Sequence, residues 1–226
     1  MAYHETNVPE KKYYTYSYRE INECQFQSWY PKFRKSKQIG TNSTPRSIIL
    51  PLPTNFSNYL LCDGIHLPAD ATNVSSCLDA NVGESDEEDK WRNGDDSEDG
   101  SNDDEEIYSF PEFTEAISEA ISKLGGAVLP KLNWSSPKDA TWMNGGTLKC
   151  KTPGDIYLLL KSSDFIVHDL IHAWDDLKEN ESPGDLETLD SDRKFFLVLR
   201  KWCNLHKSME FRCFVNSHKI GKSNRF

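Results

Sequence analysis

Lys131 ends an apolar run in AVLPKLNWSSPKDATWM (127–143) and leads into a loop dense in donors: Asn133, Trp134, Ser135, Ser136 and Lys138. A lysine carried out of a hydrophobic strand must reach water or meet an anion. The pattern recurs, because Lys149, Lys151, Arg200, Lys201 and Arg212 each sit beside an apolar stretch. Any one of them is accounted for by a charged tip snorkelling past its aliphatic stem. Together they could line one cleft for a polyanion, and a phosphate chain is the anion that several such donors satisfy most readily. Glu210 lies beyond the LRKW stretch, where a carboxylate either accepts bonds from ribose hydroxyls or pairs with Arg212. Residue type and spacing leave both open.

Other chemistries find less support. The six cysteines (Cys24, Cys62, Cys77, Cys150, Cys203, Cys213) form no C-x-x-C pair and have no histidine at ligand spacing, which argues against zinc. The GKS at Gly221–Ser223 lacks its phosphate-loop context, since Asn216 stands where the first glycine belongs and no helix is expected after it. The Gly-Gly pairs at 125 and 145 are turn signals. His168, His172, His206 and His218 have no nucleophile or carboxylate at a diagnostic spacing for a hydrolase triad. The opening residues carry no signal-peptide core, and no apolar stretch approaches a membrane span. Reduced thiols in the cytosol or nucleus follow as the expectation.

These cations need strands and helices to hold them. In FPEFTEAISEAISKLGG the residues Phe113, Ile117, Ile121 and Leu124 recur at helical spacing, with Pro111 in the first turn and Gly125 as the stop. That helix delivers the chain into a strand over Val128–Asn133. A turn at MNGGT leads to a second expected strand, Leu148–Thr152, with lysines at alternate positions. The next helix opens at TPGD, with Thr152 as N-cap, Pro153 first and Asp155 third. From His168 to Arg193 the chain is polar and reads as a long loop. KFFLVLRKW (194–202) reads as a strand, and MEFRCFVNS (209–217) alternates as an antiparallel neighbour would. Upstream, RSIILPLP (46–53) is a short strand closed by prolines, and NYLLCDG follows as a short apolar element. The aromatic cluster CQFQSWYPKF (24–33) reads as a packing plug in which Pro31 forbids a long helix. The order gives an α+β lobe with a mostly antiparallel sheet.

Net charge is -10, but between Glu84 and Glu106 there are 13 acidic against 2 basic residues, so the remainder is close to neutral. Neither a nucleic-acid-binding basic surface nor general acidity describes the folded part. The expected organisation is a loosely ordered tail over 1–23, an N-terminal part of the domain over 24–80, an acidic disordered insertion over 81–106, and the main lobe over 107–226.

CQFQSWYPKF, SIILPLP, FPEFTEAISEAISKLGGAVLPKLNWSSPKDATW, LKCKTPGDIYLLLKSSDFI and LVLRKWCNLHKSMEFRCFV closely resemble successive blocks of the cell division cycle protein 123 family, from about Cys24 to Val215. The resemblance implies a divergent ATP-grasp fold, in which two α+β lobes with antiparallel sheets and flanking helices clamp ATP. It also implies an assembly chaperone for eukaryotic translation initiation factor 2, with the gamma subunit as partner, in the cytoplasm, without direct nucleic-acid or membrane binding. By that likeness Lys131 contacts phosphate, and Asn133, Trp134, Ser136 and Lys138 form the loop over the nucleotide. Leu199, Arg200 and Lys201 offer the hinge backbone to adenine, Glu210 meets the ribose with Arg212 beside it, and Ser208 is a further contact. The family supplies its Mg²⁺ carboxylates after the block at which KSNRF stands here, so the lobe 107–226 is expected to be shortened, the second lobe incomplete, and no metal ligand is assigned. Two alternatives remain at this point. One is an ATP-grasp carboxylate ligase; the other is a shortened product that binds neither nucleotide nor partner.

Overall fold

The computed structural model describes residues 16–35, 44–75, 108–175, 194–205, 207–216 and 219–225. The acidic insertion and the expected loop beyond 175 lie outside these residues.

Central to the fold is β3 (Phe196–Lys201), flanked by β1 (Ser47–Pro51) and β2 (Val128–Lys131) in an antiparallel sheet of order β1-β3-β2. Leu197, Val198 and Leu199 are all fully buried, as an uninterrupted apolar strand must be when both sheet faces are covered. One face packs Leu197, Leu199 and Val128 against α3 (Thr54–Leu61), α4 (Pro111–Lys123) and α5 (Pro153–Lys161), through Phe56, Ile117, Ile156 and Leu160. The other face carries Val198 and Ile49, which sit under Phe26, Trp29 and Tyr30 of α2 (Phe26–Lys35). Pro130 interrupts nothing in this ladder. Val128 exchanges both main-chain bonds with Cys150 on the outer edge, so Pro130, two residues on, turns its missing donor to that same outer side.

Local signals set both central helices. Pro111 opens α4 and Gly125, with φ of 97°, ends it. Thr152 caps α5 in a complete capping box with Asp155, whose buried carboxylate also accepts from the Ser75 and Lys151 amides at 2.7 and 2.8 Å. Thr152→Ala should therefore lower stability by about 1 kcal/mol, seen as a lower melting temperature with unchanged cooperativity. A side chain at Gly154 has no room, because an added Cβ would fall 2.6 Å from the Ala71 carbonyl oxygen.

Four expectations are corrected. Residues 26–35 form a helix through Pro31; the ring removes one main-chain bond within the helix, while Phe26 and Tyr30 gain a buried aromatic stack with centroids 4.8 Å apart. Residues 148–152 form no strand: they touch β2 by the single Val128–Cys150 bridge, and the chain at once enters the α5 cap. The alternating segment β4 (Phe211–Asn216) pairs with β5 (Lys219–Arg225) in its own two-stranded sheet, not with β3, whose two edges are already taken. The loop expected from His168 starts inside a helix, α6 (Asp164–Ile171), capped by Ser163. The tail expected over 1–23 also contains an element where it is described, the capped helix α1 (Tyr18–Glu23).

Candidate functional site

A cleft of about 1050 Å³ opens where β3 leaves the sheet. It is lined by Trp134, Ser136 and Lys138 of one loop, by Arg200 and Trp202 at the end of β3, and by Glu210. An adjoining hollow of about 490 Å³ shares Leu129, Arg200, Trp202, Leu205 and Glu210 and adds Pro45, Lys201, Cys203 and Asn204. Five of the residues singled out in the sequence thus line the cleft, Trp134, Ser136, Lys138, Arg200 and Glu210, and Lys201 lines the adjoining hollow. Sequence reasoning missed its apolar lining, Leu129, Trp202, Leu205 and Met209. Of these Trp202 had a signal, since it closes the same apolar run that carries Arg200.

The other singled-out residues lie elsewhere. Lys131 is 8% exposed, and its Nζ donates to the Leu132 and Asn133 carbonyls at 2.9 and 3.4 Å while lying 5.1 Å above the Phe26 ring. To meet a phosphate, it would have to leave those carbonyls. Asn133 is 1% exposed, and its side chain ties three elements together: it donates to Gln25 Oε1 and the Lys194 carbonyl and accepts from the Phe196 amide. The Leu199 side chain is in the core. Its main chain pairs with Ile48 and that of Arg200 with Leu129, while the Lys201 amide is taken by the Arg46 carbonyl. The hinge backbone expected at 199–201 is thus spent on the sheet, and the next amide, of Trp202, donates to the Ala127 carbonyl. Ser208 and Arg212 are exposed and do not line the cleft.

Burial sets the electrostatics of the two innermost cations. It pulls Lys131 down to about 8, with Asp169 opposing the shift and Arg200 adding to it. The Arg200 guanidinium is likewise lowered by burial, with opposing contributions from Tyr30 and Cys203. It lies 5.5 Å from the Phe26 ring, and its buried Nε has no hydrogen-bond acceptor among the described residues. Among the described residues no three His, Cys, Asp or Glu side chains gather as metal ligands, and none of the helices is long and apolar enough to cross a membrane.

Comparison with known proteins gives the kinship of this architecture. The D123 family profile matches residues 29–225. A protein of Xenopus laevis described as a translation initiation factor eIF2 assembly protein is 44% identical over 214 residues, covering 91% of this chain and 56% of that protein. One of the same description from Emericella nidulans is 43% identical over 204 residues, 89% of this chain and 45% of its own length. The solved structure of Cdc123 from Schizosaccharomyces pombe superposes with a TM-score of 0.62 at 36% identity, over 92% of this chain and 64% of that one. The chain spans about half the length of the curated relatives it matches. The α+β, ATP-grasp-like fold expected from the sequence is the fold of this match.

Proposed function

The chain belongs to the D123 family, and from that premise we propose that it binds ATP in the cleft and serves in assembly of translation initiation factor eIF2, gripping the gamma subunit, in the cytoplasm. The observation that carries the nucleotide half is the convergence of Lys138, Ser136, Arg200 and Glu210 on one cleft. Its volume is of the order that receives small-molecule ligands, about 300–1,000 Å³. Cationic and hydroxyl donors among its lining residues suit a phosphate chain, the side chains of Leu129, Trp202, Leu205 and Met209 suit a flat base, and the Glu210 carboxylate suits ribose hydroxyls.

Mg²⁺ accompanies ATP in the family expectation, but Glu210 is the carboxylate on this cleft and the described residues form no metal cluster. The role needs no bond to be broken: nucleotide held between walls orders the surface offered to the partner, which lowers the entropy lost on docking. The names of the relatives support eIF2 as the complex served, since both are described as eIF2 assembly proteins.

Titration of the purified chain with ATP tests the first half. Lys138→Ala and Arg200→Ala should each weaken binding about 10-fold, the loss of one charge-assisted bond. No binding by the unaltered chain at millimolar ATP ends the nucleotide reading. Capture of purified gamma subunit by the immobilised chain tests the second half, and its failure with and without ATP ends the partner reading.

A further inference from the structure

Lys138 and Ser136 are useful only if the loop that carries them is in place before a ligand arrives. That loop has no regular structure between Lys131 and Lys138, so something outside it must hold it. Asp169, in α6, is 2% exposed and turns its whole carboxylate on the loop. Its Oδ2 accepts from the Trp134 and Ser135 amides at 3.1 and 2.7 Å, and its Oδ1 accepts from Ser135 Oγ at 2.6 Å. The turn that follows α6 holds the loop's side chain. Trp174 packs edge-on against Trp134 with centroids 5.4 Å apart, and Tyr18 of α1 stacks on Trp174 at 5.2 Å.

The geometry points to Asp169 as the positioning residue of the nucleotide cleft: a buried carboxylate that fixes the Trp134–Ser136 backbone so that Trp134, Ser136 and Lys138 form a ready wall. This rests on the nucleotide reading above for its ligand, but not for its structural content. Three bonds to one buried carboxylate, two from main-chain amides, hold the backbone more tightly than a loop of this length holds itself. A preassembled wall spares the ligand the entropy of ordering it. The carboxylate touches no ligand, so its effect runs through the loop.

Two replacements separate geometry from charge. Asp169→Asn keeps an oxygen for both amides and places its amide group against Ser135 Oγ, which can rotate to accept. Asp169→Ala removes every partner. Amide hydrogen exchange in nucleotide-free protein should show Trp134 and Ser135 exchanging at least about 10-fold faster in D169A, with β3 amides unchanged, and near-normal protection in D169N. ATP affinity should fall about 10-fold in D169A and recover to within about 3-fold in D169N. Should D169A also lose β3 protection, Ser135→Ala takes its place. It deletes one of the three bonds, and exchange at Trp134 must still rise about 3-fold. Protection unchanged in the alanine variants overturns the proposal, as does a D169N that behaves like D169A, which would make charge and not geometry the cause. If the unaltered chain binds no ATP, the nucleotide reading fails while the exchange data still judge the positioning role.

Discussion

Asn133→Asp, a change of one terminal group with no change of shape, is expected to cost about 3–5 kcal/mol of folding stability at neutral pH. Asn133 is 1% exposed and its Nδ2 sits 2.8 Å from Gln25 Oε1 and 2.9 Å from the Lys194 carbonyl, both acceptors. An aspartate presents them with a second oxygen and a buried charge. Its other oxygen keeps the Phe196 amide at 2.8 Å, so one of three bonds survives. The lost bonds join the β2 exit to the start of β3 and to the residue before α2, which makes the damage global. Against a typical total of about 5–15 kcal/mol, this is a large share. The new carboxyl would have its pKa raised by burial and by those acceptors. Its penalty is therefore present above the unfolded carboxyl pKa of about 4 and shrinks as pH falls toward it. Urea unfolding at pH 7 and pH 4.5 checks both statements. A variant as stable as the parent at pH 7 would remove Asn133 from its place at this junction.

That junction also marks how far the sequence could be read. The two central helices were legible because their signals are local: Phe113, Ile117 and Ile121 repeat at one helical period, and the Thr152–Asp155 box spans four residues. β3 was legible as an apolar run. The members of the cleft were legible too, because Trp134, Ser136 and Lys138 crowd into one short loop and Arg200 stands at a strand end. Asp169 was not, since its bonds cross 34 or 35 residues and a carboxylate in DFIVHDLI has no spacing that separates it from a solvent-facing one. Nor was the burial of Lys131. Its fate is decided by whether an aromatic helix lies over that face of the sheet, and Pro31 argued against the helix. The hairpin of β4 and β5 was misplaced for a similar reason: alternation says that a strand has a partner, never which one.

Lys131 should make the folded chain more stable as pH rises from 8 toward 10. The unfolded lysine keeps its proton up to the ordinary 10.5, whereas burial makes the folded one release it at about 8. Between those values the unfolded chain binds more protons, so stability climbs with pH, and below 8 the cost of the buried charge is constant. The full interval is worth roughly 3 kcal/mol. The top of the window is cut off by Tyr59 and Tyr157, whose pKa values burial raises and whose contribution is lost as pH climbs above 10. Lys161, also lowered by burial, acts in the same sense as Lys131, and a substitution separates them. In Lys131→Met the rise between pH 8 and 10 should largely vanish. At pH 7 the variant should be no less stable than the parent, because relief of the desolvated charge outweighs two carbonyls left without their donor. Thermal melts across pH 7 to 10 read both curves. An unaltered slope in the methionine variant, or a loss of several kcal/mol at pH 7, would show that the ammonium does not rest beneath Phe26. The same melts with saturating ATP report whether it turns to the cleft: phosphate oxygens would hold its proton through the window and flatten the parent's curve, while a lysine that stays on the Leu132 and Asn133 carbonyls keeps the slope.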